Sequence, residues 1–313
     1  LIERFLGTGI AHVIHDGPDV LNAALASSGL NLDLPAGTRQ APIHLRTWAG
    51  GAPGTSVHLR HHIRLADNAH AAVFWDDQCD DACGLLTQTL EIELGRNARL
   101  TLVRLQRHGD GSTALTRTHA RLQRDARFHY TGYEAGRGLQ RHDLVTELLA
   151  SGAEVHLRGA FAPYGQGHAD SFTVVEHAAP HTRSRLDFRG LAMDRARGIF
   201  NGRVHVHKDA QKTDSEQHLG TLLLSSKAQI NAKPELEIYA DDVKCAHGAT
   251  AGQIDEDALH YMRSRGIPLA TARALLIGGF VTRSLALPDW PEAEALLLGT
   301  LGEVLDHVDW SQA

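Results

Sequence analysis

From residue 31 to about residue 240 the chain alternates apolar and polar positions in short runs, and helical periodicity is nearly absent. NLDLPAG, APIHLRTWAG, SVHLRHHIRL, AAVFWDD, TLEIEL, RLTLVRLQR, RFHYTGYEAG, EVHLRGAF and SFTVVEH each predict a strand of about five to seven residues. A polar phrase with a small residue heads several runs: DNAHAAV at Ala69, GRNARLTL at Ala98, QRDARFHY at Ala126 and SGAEVHL at Ala153. Their spacings are 29, 28 and 27 residues. KAQINAKPELEI at Ala228 lies 75 residues further on and reads as about three more periods. A drifting period of this size, filled with strands and cornered by small residues, is what a β-solenoid produces, each coil giving one strand to each of two or three sheets. A β-sandwich accounts for the strands but not for alanines in near-register.

The predicted architecture is an all-β core, a right-handed parallel β-helix (β-solenoid) over residues 31–252, with a short N-terminal segment (1–30) and a C-terminal α-helical domain (253–313). The N-terminal segment opens LIERFLGTGIAHVI. It continues as DGPDVLNAALASSG, a short helix with Pro18 near its start, Val20, Leu21, Ala24 and Leu25 on its apolar face and Gly29 as its stop. After Gly252 the period turns helical. Ile254, Ala258, Leu259 and Met262 share a face that ends at Gly266, and Pro268 can begin a second helix. Asp289 can cap a third helix, with Pro291 in its first turn and Leu297, Leu298, Leu301, Val304, Leu305 and Val308 at helical spacing. A solenoid has an open end, so these helices are expected to cover it.

Composition narrows the function classes. With 31 basic and 37 acidic residues the formal charge is −6, which argues against nucleic-acid or anionic-membrane binding. No apolar run reaches spanning length and no signal peptide opens the chain, so a cytoplasmic protein is expected. Three cysteines do not make a disulfide scaffold and suit reduced thiols. Twenty-one histidines mean that a metal site must be argued from position rather than from the count.

Chemistry concentrates in Asn231–Thr250, NAKPELEIYADDVKCAHGAT. Leu236, Ile238 and Ala240 alternate with Glu235, Glu237 and Tyr239. If the chain stays extended beyond the two aspartates, Cys245 and His247 point to one face. A thiol beside an imidazole suits a soft or borderline metal, or a redox or nucleophilic pair. The same residues also read as a buried small side chain beside an internally satisfied imidazole, and residue chemistry alone leaves both readings open. His205 and His207 in GRVHVHKD share a strand face as well. No carboxylate or third histidine stands at a recognisable spacing, so a solvated face is expected.

His61 and His62 should point to opposite faces of one strand. Cys79 and Cys83 in DDQCDDACG have C-x₃-C spacing with no second pair, and four aspartates that would raise their thiol pKa values, so an exposed loop is expected. In QKTDSEQHLG, Asp214 and Glu216 stand two apart. They are the paired carboxylates that a stand-alone β-solenoid polysaccharide lyase or hydrolase would use, although an aromatic sugar platform is not evident.

The run KPELEIYADDVKCAHGAT, with QKTDSEQHLGTLLLS before it and DEDALHYMRSRGI after it, resembles the SufB/SufD family of iron–sulfur cluster assembly proteins. ADDVKCAHGAT is similar to the SufD branch. The resemblance is densest over Gln211–Gly266 and extends more loosely from about Asn31 to the C-terminus. It implies a β-helix core and a non-catalytic scaffold subunit of an ATPase-driven assembly complex. A SufB-like subunit would pair through the β-helix, and a SufC-like ABC ATPase would dock on the C-terminal helices. His247 would be a ligand contributed across the SufB-like interface, and Cys245 its thiol neighbour, a second ligand or sulfur carrier. The iron–sulfur cluster would be transient and shared with the partner, none being tightly bound by this chain alone. In isolation a homodimer would take the partner's place. The start at Leu1 rather than Met reads as a processed or trimmed chain, since similar proteins usually carry a longer helical N-terminal region.

Overall fold

The alternating runs close into two parallel sheets. A computed structural model describes residues 17–307; the opening LIERFLGTGIAHVI and Val308 lie outside the described residues. Helix α1 (Gly17–Leu25) precedes β1 (Asn31–Leu34), β2 (Ile43–Ala49), β3 (Thr55–Leu65) and β4 (His70–Cys79). Then come β5 (Cys83–Leu94), β6 (Arg99–His108), β7 (Thr113–Leu122) and β8 (Arg127–Gly136). The next four are β9 (Leu139–Leu148), β10 (Glu154–Pro163), β11 (His168–His177) and β12 (Arg183–Ala192). Last are β13 (Arg197–Val206), β14 (Asp214–Leu223), β15 (Gln229–Ile238) and β16 (Lys244–Gly252), followed by α2 (Glu256–Ser264), α3 (Leu269–Leu285) and α4 (Pro291–Asp306). Odd strands form one eight-stranded sheet and even strands the other, each strand pairing in parallel with the one two places earlier. The chain is therefore a parallel β-solenoid of about eight turns.

Its corners explain the repeated alanines. Asn68, Asn97, Asp125, Gly152, His181 and Lys212 all have positive φ, between 54° and 79°. Each turns the chain from an odd into an even strand, and its backbone N–H donates to a carbonyl one coil further on, as in Asn68 to Arg96 and Asn97 to Arg124. The residue after each turn points into the solenoid: Ala69, Ala98, Ala126, Ala153, Thr182 and Thr213 are all buried. Only a small side chain fits between the two sheets where they meet. Ala228 does not continue this column. It precedes β15, an odd strand, and so belongs to the opposite corner with Ala196 before β13.

Most strands run to ten residues rather than the predicted five to seven. The interior has two halves, and only one is apolar. Ile63, Leu65, Leu90, Ile92, Leu100, Leu102 and their successors fill the half nearest the alanine corner. The other half holds buried polar side chains. The Arg104 guanidinium lies 2.7 Å from Asp77, with both side chains 1% exposed, and also donates to Gln88. Further along, Glu134 accepts from Ser171 at 2.6 Å and lies 3.1 Å from His142. Strands such as β7 and β9, whose inner faces carry Thr116, Thr118, Gln140, His142 and Thr146, escape the search for apolar alternation for this reason.

The helices depart from expectation in where they pack. Ile277, Val281 and Leu285 of α3 and Ala293, Leu297, Leu301 and Val304 of α4 lie on the outer face of the even sheet, against Phe74, Val103, Leu105, Tyr133, Ala160 and Leu191. Among the described residues they cover the solenoid's flank and leave its C-terminal end open. Asp255 caps α2 by accepting from the Asp257 and Ala258 N–H groups at 3.0 Å, and Gly266, at φ 85°, ends it. The residue capping α4 is Trp290 rather than Asp289, and it makes no side-chain cap bond. On α1 the buried residues are polar: Asn22 donates to the Leu59 and Thr87 carbonyls, while Val20, Leu21 and Leu25 are exposed. The chain leaves α1 at Leu25, and Gly29 serves close approach rather than helix termination. A Cβ there would fall 1.6 Å from the Arg60 carbonyl oxygen.

Candidate functional site

The two strands of the last coil, β15 and β16, each pair on one side only among the described residues. Register carries the interior columns onto them. Gly198, Phe200, Gly202, Val204 and Val206 of β13 align with Ile230, Ala232, Pro234, Leu236 and Ile238. On the other sheet Ser215, Gln217, Leu219 and Thr221 align with Cys245, His247, Ala249 and Ala251. In every earlier coil these columns are closed in by the next turn. Here they form an open mouth whose inner positions are apolar except Cys245 and His247. Ile238 is 40% exposed, although its neighbour in the column, Val206, is fully buried. Pro234 fits a terminal strand, where a missing N–H disturbs no inner ladder.

Cys245 and His247 therefore share one face of one strand. Cys245 is half-buried against the cluster of Val204, Val206, Ala210 and Ala240, on which Leu236 and Val243 also pack. Burial pushes its thiol pKa up and Asp214 adds to this, against a backbone hydrogen bond at Ser215 that lowers it. Without a bound metal or a nearby cation the sulfur stays protonated. His247 is exposed, opposite the buried Gln217, whose Nε2 donates to the Gly202 carbonyl across the interior. The turn before β16 is fixed by Lys212 pairing with Asp242 and by the Asp242 N–H donating to Gln211 at 2.9 Å. Among the described residues no group of three His, Cys, Asp or Glu ligands includes Cys245 or His247. A cluster or metal held here would need its remaining ligands from outside this chain.

The carboxylate pair does not provide acid–base equipment. Asp214 accepts two hydrogen bonds from Arg185, both 3.0 Å, and Glu216 lies 3.5 Å from the same guanidinium. The Arg185 hydrogen bond holds the Asp214 carboxyl below the usual range, opposite to what a general acid needs. Cys79 and Cys83 are not in an exposed loop. They end β4 and begin β5, packed with Ala49, Leu86 and Ala114 inside the solenoid. Burial, followed by a hydrogen bond from Cys83, raises the Cys79 thiol, and the aspartates matter less. His61 points inward, its ring centroid 4.5 Å from that of Trp75, while His62 faces Asn31 on the outside.

The face expected to be merely solvated is better furnished. His205 and His207 meet Glu176, which lies one coil earlier, with its Oε2 2.5 Å from His205 Nδ1 and 3.0 Å from His207 Nε2. The carboxylate was hidden from local spacing because strand neighbours here stand about one coil apart in sequence.

Two kinds of likeness bear on this layout. The sequence pattern of the family described as "SUF system FeS cluster assembly, SufBD core domain" matches residues 48–280. The chain is 31% identical over 265 residues to the iron–sulfur cluster assembly protein SufD of Escherichia coli, covering 83% of this chain and 63% of that protein. It is 25% identical to SufD of Bacillus subtilis, over 90% of this chain and 65% of that one. An iron–sulfur cluster assembly SufBD family protein of Synechocystis is 35% identical over 61% of this chain and 42% of its own length. The chain thus spans less than two thirds of each of these relatives. Among the described residues no helix is long and apolar enough to cross a membrane.

Proposed function

The chain belongs to the SufBD core family of the SUF iron–sulfur cluster assembly system, and we propose that it acts there as a SufD-like scaffold subunit with no turnover of its own. The observation that carries this reading is the open last coil. β15 and β16 offer free backbone edges around an apolar mouth, which a second solenoid can extend strand upon strand while burying Leu236 and Ile238. A SufB-like subunit is that second solenoid. In the joined pair Cys245 and His247 face the seam, where the cluster in assembly is the cargo and the partner supplies the other ligands. Deprotonation of the Cys245 thiol, which burial opposes, would then accompany metal capture.

A SufC-like ABC ATPase docks on the C-terminal helices. Tyr261 of α2, Leu269 and Leu275 of α3 and Leu296 of α4 remain exposed after the helices have packed on the even sheet, and they supply apolar anchors for it. Because α3 grips β8, β10 and β12 rather than the mouth, and α4 packs on α3, a pull on these helices tilts the sheet that ends in β16. Such a subunit would act in the cytoplasm.

Co-purification with SufB-like and SufC-like partners, followed by anaerobic reconstitution with iron and sulfide, tests the reading. Ile238→Lys places a charge in the mouth at a position exposed in the single chain, so the variant should fold and lose the SufB-like partner. His247→Ala should keep the complex and lose cluster absorbance. An undiminished complex with Ile238→Lys, or identical cluster content with His247→Ala, would contradict it.

A further inference from the structure

The outer face of the odd sheet carries a second donor set, away from the mouth. Val204 and Val206 of β13 are fully buried, so the alternating positions Arg203, His205 and His207 face outward. Register sets Glu176 of β11 beside His205 on one side and Glu237 of β15 beside it on the other. Glu176 Oε2 reaches both imidazoles, at 2.5 Å and 3.0 Å, and the two ring centroids are 4.4 Å apart. One ligand atom from each of the three residues lies within 4.8 Å of the others. Arg203 stands 3.8 Å from the other Glu176 oxygen and 3.9 Å from Glu237. It orients the carboxylate from behind and leaves Oε2 turned to the histidines.

We propose that Glu176, His205 and His207 form a binding site for a borderline divalent transition-metal ion, of the class of Zn²⁺, Co²⁺ or Fe²⁺. Two imidazoles and one carboxylate select that class. Mg²⁺ and Ca²⁺ prefer all-oxygen shells, and Cu(I) prefers sulfur. Three protein ligands leave at least one coordination position open. The position opens outward, since His207 is 46% exposed while Glu176 and His205 are held at 20% and 24%. Donors about 2.0–2.2 Å from a common ion stand about 3.0–3.5 Å apart, so the Glu176–His205 hydrogen bond, 2.5 Å long, has to open by about 1 Å or less to admit one. The three residues sit on neighbouring strands of one sheet, so an ion here ties consecutive coils together near the open end. This site shares no residue with Cys245 and His247, which lie on the inner face of the other sheet.

The test is titration of the metal-stripped full chain with Co²⁺, read by its visible ligand-field bands, with Zn²⁺ competition read by calorimetry. A Cys245→Ser, His247→Ala background removes any contribution from the mouth. In that background one equivalent of Co²⁺ should bind and be displaced by Zn²⁺. His207→Ala, at an exposed position, and Glu176→Gln, nearly isosteric, should each weaken binding by roughly tenfold or more. Circular dichroism verifies that both variants stay folded. Equal Co²⁺ binding by the background chain and both variants, or no binding by the background chain, would overturn the assignment.

Discussion

Two buried histidines show how the fold sets protonation residue by residue. His61 lies inside the solenoid, where burial is the largest influence and lowers its pKa to about 3, outweighing the nearby Asp77. Its Nδ1 also accepts the Leu30 N–H at 3.0 Å, a bond that a protonated ring cannot make. An unfolded histidine takes up its proton near pH 6.5, so His61 contributes stability above that pH and withdraws it as pH falls toward 3. By pH 5 the expected loss is roughly 2 kcal/mol. His119 has the opposite sign. Burial lowers it, yet its hydrogen bonds to Glu147 and Glu91 prevail and raise it to about 9. Its contribution is complete below pH 6.5 and disappears as pH rises through 9. Urea midpoints measured from pH 5 to pH 9.5 should fall at both ends, with His119→Gln flattening the alkaline limb alone. An unchanged alkaline limb in that variant would rule out the pairing. Residue chemistry of this kind was only partly legible. The shared face of Cys245 and His247 follows from a two-residue spacing. The burial of Cys79 and Cys83 was masked by the aspartates around them, and Glu176 was remote in sequence from the histidines it meets.

At the scale of elements the corner is the unit that the sequence shows best. A left-handed residue followed by a buried small one must recur once per coil, and that requirement produced the spaced alanines. Asn97, at φ 54°, adds a side-chain bond to Asn68 at 2.9 Å in the previous coil. Asn97→Val puts a β-branched residue into a conformation it resists and deletes that bond, so a loss of about 2 kcal/mol is expected in chemical denaturation. His181→Asn, at φ 58° in the same column, should be neutral or slightly stabilising. A Val at position 97 tolerated without loss would mean that the corner is not the constraint. Elements with buried polar faces were harder to read. α1 docks through Asp19 and Asn22, which an apolar-face search assigns to solvent. β7 and β9, with Thr116, Thr118, Gln140, His142 and Thr146 turned inward, offer too little apolar alternation to announce themselves.

Among the described residues the molecule is a solenoid gripped on one flank by helices and open at its C-terminal coil. Solenoid and terminal helices could both be read from periodicity, since period 2 and period 3.6 are local properties. Which surface the helices cover could not, because flank and end both offer apolar contact and the choice depends on which outer strand positions are apolar. Phe74, Val103, Leu105 and Tyr133 decide it in favour of the even sheet. That choice leaves β15, β16 and the Cys245–His247 face uncovered, and the proposed scaffold role depends on it. Hydrogen–deuterium exchange of this chain, alone and with a SufB-like subunit, measures the central claim most directly. Amides across Asn231–Gly252 should exchange readily in the single chain and become protected in the pair, with α2–α4 unchanged until a SufC-like subunit is added. Protection on the helices or the outer sheet faces, with β15 and β16 still exchanging freely, would contradict the open end as the docking surface.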